Sequence, residues 1–169
     1  EPGGTEPVFS GGAFLTPPLT APTTYFAQAK YVLGVGPEDA TFGEQDLRDP
    51  DDFRLGMRFE VKAALTLKSV TLEAEETGGR ALILEDESGE SVETHIAVLS
   101  ETGRTEVTLD WELEPGNYTL FCTIGQPLVY NTSGADYPYV VDDFFSLRGT
   151  STGGVNDDNW YYFYDWKVE

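Results

Sequence analysis

The residues able to do chemistry in this chain are few and scattered. The single histidine, His95, lies between Thr94 and Ile96. Any Ser–His–Asp or Cys–His arrangement would have to be built on it, because a triad needs a base between nucleophile and orienting acid. Alternation puts His95 on the face opposite Thr94 and Ile96, which points it to solvent. The single cysteine, Cys122, shares a strand face with Tyr118, Leu120 and Ile124. It reads as a buried thiol acting as a small apolar residue, not as a nucleophile. No Cys/His cluster has zinc-site spacing. A glycosidase needs two acids at a set separation, and 30 acids in one chain single out no pair. The expectation is a chain without catalytic residues, which is not an enzyme.

Three binding chemistries remain. Oxygen-rich loops suit Ca²⁺, and two stretches offer such oxygens: Asp49, Asp51 and Asp52, and the run 156–159 with Asp157 and Asp158. Neither has EF-hand spacing, and runs of acids are ordinarily just solvated. Sugars stack on exposed aromatic faces, and Tyr137, Tyr139, Trp160 and Tyr161 lie near expected loops. The competing reading is that these rings fill a core or an interface. Asn117 and Asn131 open Asn-x-Ser/Thr acceptor patterns for glycosylation.

The elements that must position these residues are strands. The closing run Trp160–Val168 alternates large β-formers. Trp160, Tyr162, Tyr164, Trp166 and Val168 fall on one face; Tyr161, Phe163, Asp165 and Lys167 fall on the other, which is expected to be partly covered. Further strands are expected over 57–61, 65–67, 70–74, 81–84, 91–99, 107–113, 118–124, 127–130, 139–141 and 144–147. In 91–99 the alternation runs through Val92, Thr94, Ile96 and Val98. Short strands at roughly ten-residue spacing with turn residues between them indicate an all-β, antiparallel, jelly-roll-like β-sandwich. The expected organisation is an extended N-terminal arm with one strand (1–35), an acidic connector (36–56) and the sandwich (57–169). The arm's strand is placed at 23–35, with Tyr25, Ala27, Ala29, Tyr31 and Leu33 on one face and Phe26 on the other. A Gly/Pro-rich terminus is mobile unless tied down, so this arm is expected to dock on its own sandwich or on a neighbouring molecule.

Ten basic against 30 acidic residues give a net charge of −20. That charge repels nucleic acid and anionic lipid. No apolar run reaches membrane-spanning length. A chain beginning at Glu1 is expected to be a processed or trimmed product.

The stretches 59–61 with 65–70, 113–120 (Leu-Glu-Pro-Gly-Asn-Tyr-Thr-Leu), Tyr137-Pro138-Tyr139 and 161–166 resemble a β-sandwich module of large secreted and cell-surface proteins of Bacteroidota-type bacteria. In such proteins the module follows an immunoglobulin-like domain, and 14–19 with 23–27 resemble the last strands of that domain. The resemblance implies an extracellular or cell-surface, accessory, non-catalytic role. The resemblance implies that only a closing strand of that preceding domain is represented in residues 1–35. A lone strand has exposed edges, so it either folds back or completes a sheet in another copy, as in donor-strand addition. The leading expectation is a structural subunit that assembles with copies of itself into a filament or appendage through residues Tyr25, Phe26, Ala27, Ala29, Tyr31 and Leu33. The alternative is a glycan- or Ca²⁺-binding accessory module of a larger secreted protein.

Overall fold

The computed structural model describes residues 30–50, 54–153 and 157–169, together with Leu15, Pro18, Ala21, Pro22 and Thr24. It is an antiparallel β-sandwich. The strands are β1 (Leu33–Val35), β2 (Gln45–Arg48), β3 (Gly56–Val61), β4 (Leu65–Ala74), β5 (Gly78–Asp86), β6 (Ser91–Leu99) and β7 (Gly103–Leu113). They continue as β8 (Gly116–Ile124), β9 (Leu128–Asn131), β10 (Tyr139–Val141), β11 (Phe145–Thr150), β12 (Trp160–Tyr161) and β13 (Tyr164–Val168). One layer has the order β1-β13-β4-β7 and the facing layer β10-β11-β3-β8-β5-β6; a small third sheet is β12-β9-β2. The chain changes layer between β3 and β4, β4 and β5, β6 and β7, and β7 and β8. Among the described residues no helix is long and apolar enough to cross a membrane.

Where polar and apolar residues alternate cleanly, the strands follow the sequence. In β7, Val107, Leu109, Trp111 and Leu113 are buried while Thr108, Asp110 and Glu112 face water. The layers interlock through aromatics: Phe59 of β3 meets Trp166 of β13 at 5.3 Å edge to face, and Phe145 of β11 at 5.3 Å. Such ring pairs add to the area they bury.

Four expectations are corrected. First, 65–67 and 70–74 form one strand. A bulge between Leu67 and Ser69 switches the buried face from odd to even positions. At this bulge Asp110 takes φ +52 and pairs with Lys68, as an extra residue in one strand requires.

Second, the run 160–168 is two strands in two sheets. Tyr162, at φ +61, turns the corner, and Phe163 N–H donates to the Tyr161 carbonyl at 2.7 Å. Both indole N–H groups, from Trp160 at 2.7 Å and Trp166 at 2.8 Å, donate to the Phe163 carbonyl and pin that corner. Tyr161 and Phe163 are therefore buried along with the other row.

Third, the alternation in β6 is reversed. Ala97 and Leu99 are buried, His95 on their face is half-buried, and Ile96 and Val98 are 61% and 75% exposed. Pairing with β5 sets this register (Leu82 opposite His95, Arg80 opposite Ala97), and a slip between Leu84 and Glu85 fixes it. A similar slip between Ala81 and Leu82 turns Ile124 out to 60% exposure while Leu120 and Cys122 stay buried.

Fourth, 36–56 is not a bare connector. Asp39 caps a short 3₁₀ turn, 40–42, by accepting from Thr41 N–H at 2.9 Å, and β2 pairs with β9 from Gln45 opposite Asn131 to Arg48 opposite Leu128. Of the arm, β1 alone is strand among the described residues, with Leu33 opposite Val168 and Val35 opposite Trp166.

Candidate functional site

The polar candidates are mostly engaged in holding loops. Asp157 accepts Thr150 N–H at 3.1 Å and the Thr150 hydroxyl, and through its other oxygen Asn159 N–H at 3.3 Å and the Asn159 side chain at 3.1 Å. A Cβ on Gly153 would lie 1.9 Å from that carboxylate, so only glycine fits at 153. Calcium at Asp157 would compete with all four donors. Asp158 is exposed, and its backbone carbonyl accepts Ala135 N–H at 3.0 Å. Asp49 is half-buried, and Asp51 and Asp52 lie outside the described residues. Among the described residues no group of three or more His, Cys, Asp or Glu is placed to hold a metal ion. Cys122 is buried.

The four aromatics are drawn into one region, but not as a platform. Tyr137 stacks on Trp160 at 5.5 Å with the rings 3° from parallel, and Tyr139 meets the same indole edge-on at 5.2 Å. Phe42 meets it from another side at 6.1 Å. Trp160 is 0% exposed and Tyr161 is 5% exposed against Tyr130. No Trp160 face is open to a sugar. The Tyr137 hydroxyl donates to the Asn159 carbonyl at 2.7 Å, and burial raises its pKa above the ordinary tyrosine value.

The two glycosylation candidates separate. Asn117 is exposed on β8, its amide 3.3 Å from Glu87. Asn131 is 0% exposed. Its Nδ2 donates to the Ala40 carbonyl at 2.7 Å, and its Oδ1 accepts the Tyr164 hydroxyl at 2.8 Å. A glycan on Asn131 would have to displace core, so that acceptor reading is corrected: this amide is a structural strut. Tyr162 behaves oppositely, because its buried hydroxyl finds no partner among the described residues. Burial raises its pKa. Tyr162→Phe is expected to leave urea stability within about 0.5 kcal/mol of wild type or raise it, whereas Tyr164→Phe lowers it by about 1–2 kcal/mol.

Among the described residues the exposed large apolar side chains gather mainly at two places, with Leu47 on β2 and Val140 on β10 exposed apart from them. At the arm, Leu15 is 93%, Tyr31 71% and Val32 54% exposed. Tyr25, Phe26, Ala27 and Ala29 lie outside the described residues, and Leu33 is taken up in its own sheet. At the opposite side is β6, an edge strand bonded only to β5, with Val92, Ile96 and Val98 exposed along its outer face. That row continues inward from Ile96 to Ala81 on β5 and Ile124 on β8. A depression of about 350 Å³, lined mainly by apolar groups, lies there between Gly79, Ala81, Ile96, Ile124 and Gly125. Beneath it Arg80 is closed off from solvent, donating to the Gly79 and Glu76 carbonyls at 3.0 Å each. Elsewhere the outer face is charged, with ion pairs Arg54–Glu85 and Arg148–Glu60. The sequence places a strand at 91–99 but points its exposed row inward, so the bare edge of β6 was missed. A usable signal was there: β6 carries one acid, Glu93, and no Lys, Arg or Pro of the kind that guards edges.

No family model, no curated protein and no solved structure matches this chain.

Proposed function

We propose that the chain is a non-catalytic structural subunit of an extracellular or cell-surface assembly, and that copies join by adding the N-terminal arm of one to the sheet of another. The observation that carries this is the chemistry of the arm. Between Glu6 and Glu38 the one charged residue is Lys30, in a chain of net charge −20. Of the arm's described large apolar side chains, Leu15, Tyr31 and Val32 face water, while Leu33 and Val35 pack into the sandwich. An apolar, acid-free stretch such as 7–37 is matched in charge to the strongly acidic body of another copy. Strand addition supplies backbone hydrogen bonds, with alternate side chains giving specificity. The extracellular setting rests on the resemblance to secreted bacterial modules.

The test is light scattering with negative-stain imaging of the full chain and of a chain lacking residues 1–30. The cut falls at 30 because Leu33–Val35 belongs to the sandwich. The full chain is expected to form oligomers or filaments and the shortened chain to be a monomer. Two monomers, or two assemblies of the same size, would overturn the reading.

A further inference from the structure

We propose that the acceptor for the arm is the free edge of β6 in a second copy, which makes the contact head-to-tail. This rests on the arm reading and adds the site at which it docks.

Strand addition needs an edge long enough to hold a strand, exposed and not guarded by charge. The edges of the three sheets are β1 and β7, β10 and β6, and β12 and β2. Four of these are too short, since β1 and β10 have three residues, β2 four and β12 two. Edge β7 has 11 residues but presents Arg104, Glu106, Asp110 and Glu112 outward and is kinked by the bulge at Asp110. Edge β6 has nine residues, one acid and an exposed Val92, Ile96, Val98 row. Residues 24–32 of the arm also number nine, and an added strand made of them would set Tyr25, Ala27, Ala29 and Tyr31 on one face and Phe26, Gln28, Lys30 and Val32 on the other. Either face brings apolar side chains alongside Ile96 and Val98, where cross-strand pairs stabilise a sheet. Glu93 on β6 and the exposed Glu90 and Glu101 beside it complement Lys30, the one charged residue in 24–32, whose ammonium lies 3.4 Å from Glu169 in its own chain.

The fold also favours a second copy over the chain's own β6. Strand β1 packs against β10 on one side of the sandwich, and β7 lies by β6 on the other. Crossing the wider sheet takes about 24 Å at about 4.8 Å per strand. Nine extended residues reach about 30 Å, so residues 24–32 would be used up in crossing and could not also pair along β6. With donor and acceptor on opposite sides, each added copy presents a fresh edge. Contacts of this heterologous kind propagate into an open chain unless they close into a ring.

The test compares Ile96→Lys/Val98→Lys with the chain lacking residues 1–30, by light scattering at matched concentrations, with thermal melts to confirm folding. Both side chains point to water, so the double variant is expected to melt within a few degrees of wild type. Thr94→Lys, on the same exposed row, is the second variant should the double one fail to fold. The edge variant keeps its arm but has no acceptor; the shortened chain keeps the acceptor but has no arm. Each alone is expected to be a monomer, and an equimolar mixture is expected to give a 1:1 heterodimer and nothing larger. If the edge variants assemble like wild type while the shortened chain is a monomer, β6 is not the acceptor and the arm reading stands. If the shortened chain assembles and the edge variants do not, β6 pairs with itself, and both proposals fail.

Discussion

Trp160→Ala lowers the stability of this protein by about 4 kcal/mol, the range in which buried Trp and Phe truncations fall. Trp160 belongs to the small third sheet yet touches all three layers. Tyr137 and Tyr139 pack on it, Phe42 meets it edge-on, and Tyr164 of β13 stacks against it at 6.5 Å. The backbone at Gly36, with φ +82, approaches so closely that a Cβ there would lie 2.8 Å from the indole. So many partners on separate elements leave the site little room to collapse, and a residual cavity adds to the lost transfer energy. Urea unfolding followed by near-UV circular dichroism measures the loss. Trp160→Phe should recover about half of it, because the Phe163 carbonyl keeps its bond from Trp166. A loss below about 1.5 kcal/mol for the alanine variant would show that the ring cluster repacks.

The second large effect is at Asn131. Its amide joins three segments: the 3₁₀ turn through the Ala40 carbonyl, β9 through its own backbone, and β13 through the Tyr164 hydroxyl. Alanine at 131 takes the 2.7 Å donor from the buried Ala40 carbonyl and leaves the Tyr164 hydroxyl only the Val129 carbonyl at 3.5 Å, losses of about 1–3 kcal/mol each. Asn131→Ala is therefore expected to destabilise by about 3 kcal/mol. A double-mutant cycle with Tyr164→Phe should show coupling of about 1 kcal/mol, since the pair shares one bond. Additive losses would contradict the strut. Burial raises the Tyr164 pKa, so the hydroxyl is a neutral donor at every pH where the protein is handled.

Charged replacements at the β6 edge should leave stability nearly unchanged, whereas Trp160 and Asn131 carry stability and present no open ligand surface. That separation lets assembly be tested without unfolding the subunit.

Alternation was legible wherever polar and apolar residues take turns. β7 shows this, with its buried row of Val107, Leu109, Trp111 and Leu113. It was not legible in β6, where the more apolar row, Val92, Ile96 and Val98, is the one that faces water, nor in 160–164, where both rows are aromatic and a period of two fits either face. The aromatic group was legible as a set of residues, but whether it met sugar or core depended on β12 pairing with β9 across the chain. The acceptor pattern at Asn131 was legible as a pattern only; its burial follows from pairing with Gln45, far earlier in the chain.

The amino-acid order by itself determined the all-β class, most strand positions, the acidic body and the apolar arm, because these depend on neighbouring residues and on composition. Tertiary structure alone decided which face of β6 is wet, that 160–168 breaks into two strands, that Leu33–Val35 closes the sheet at one side, and that the long bare edge lies at the other. Register and edge exposure are set by pairing between distant strands, and no local pattern carries that information.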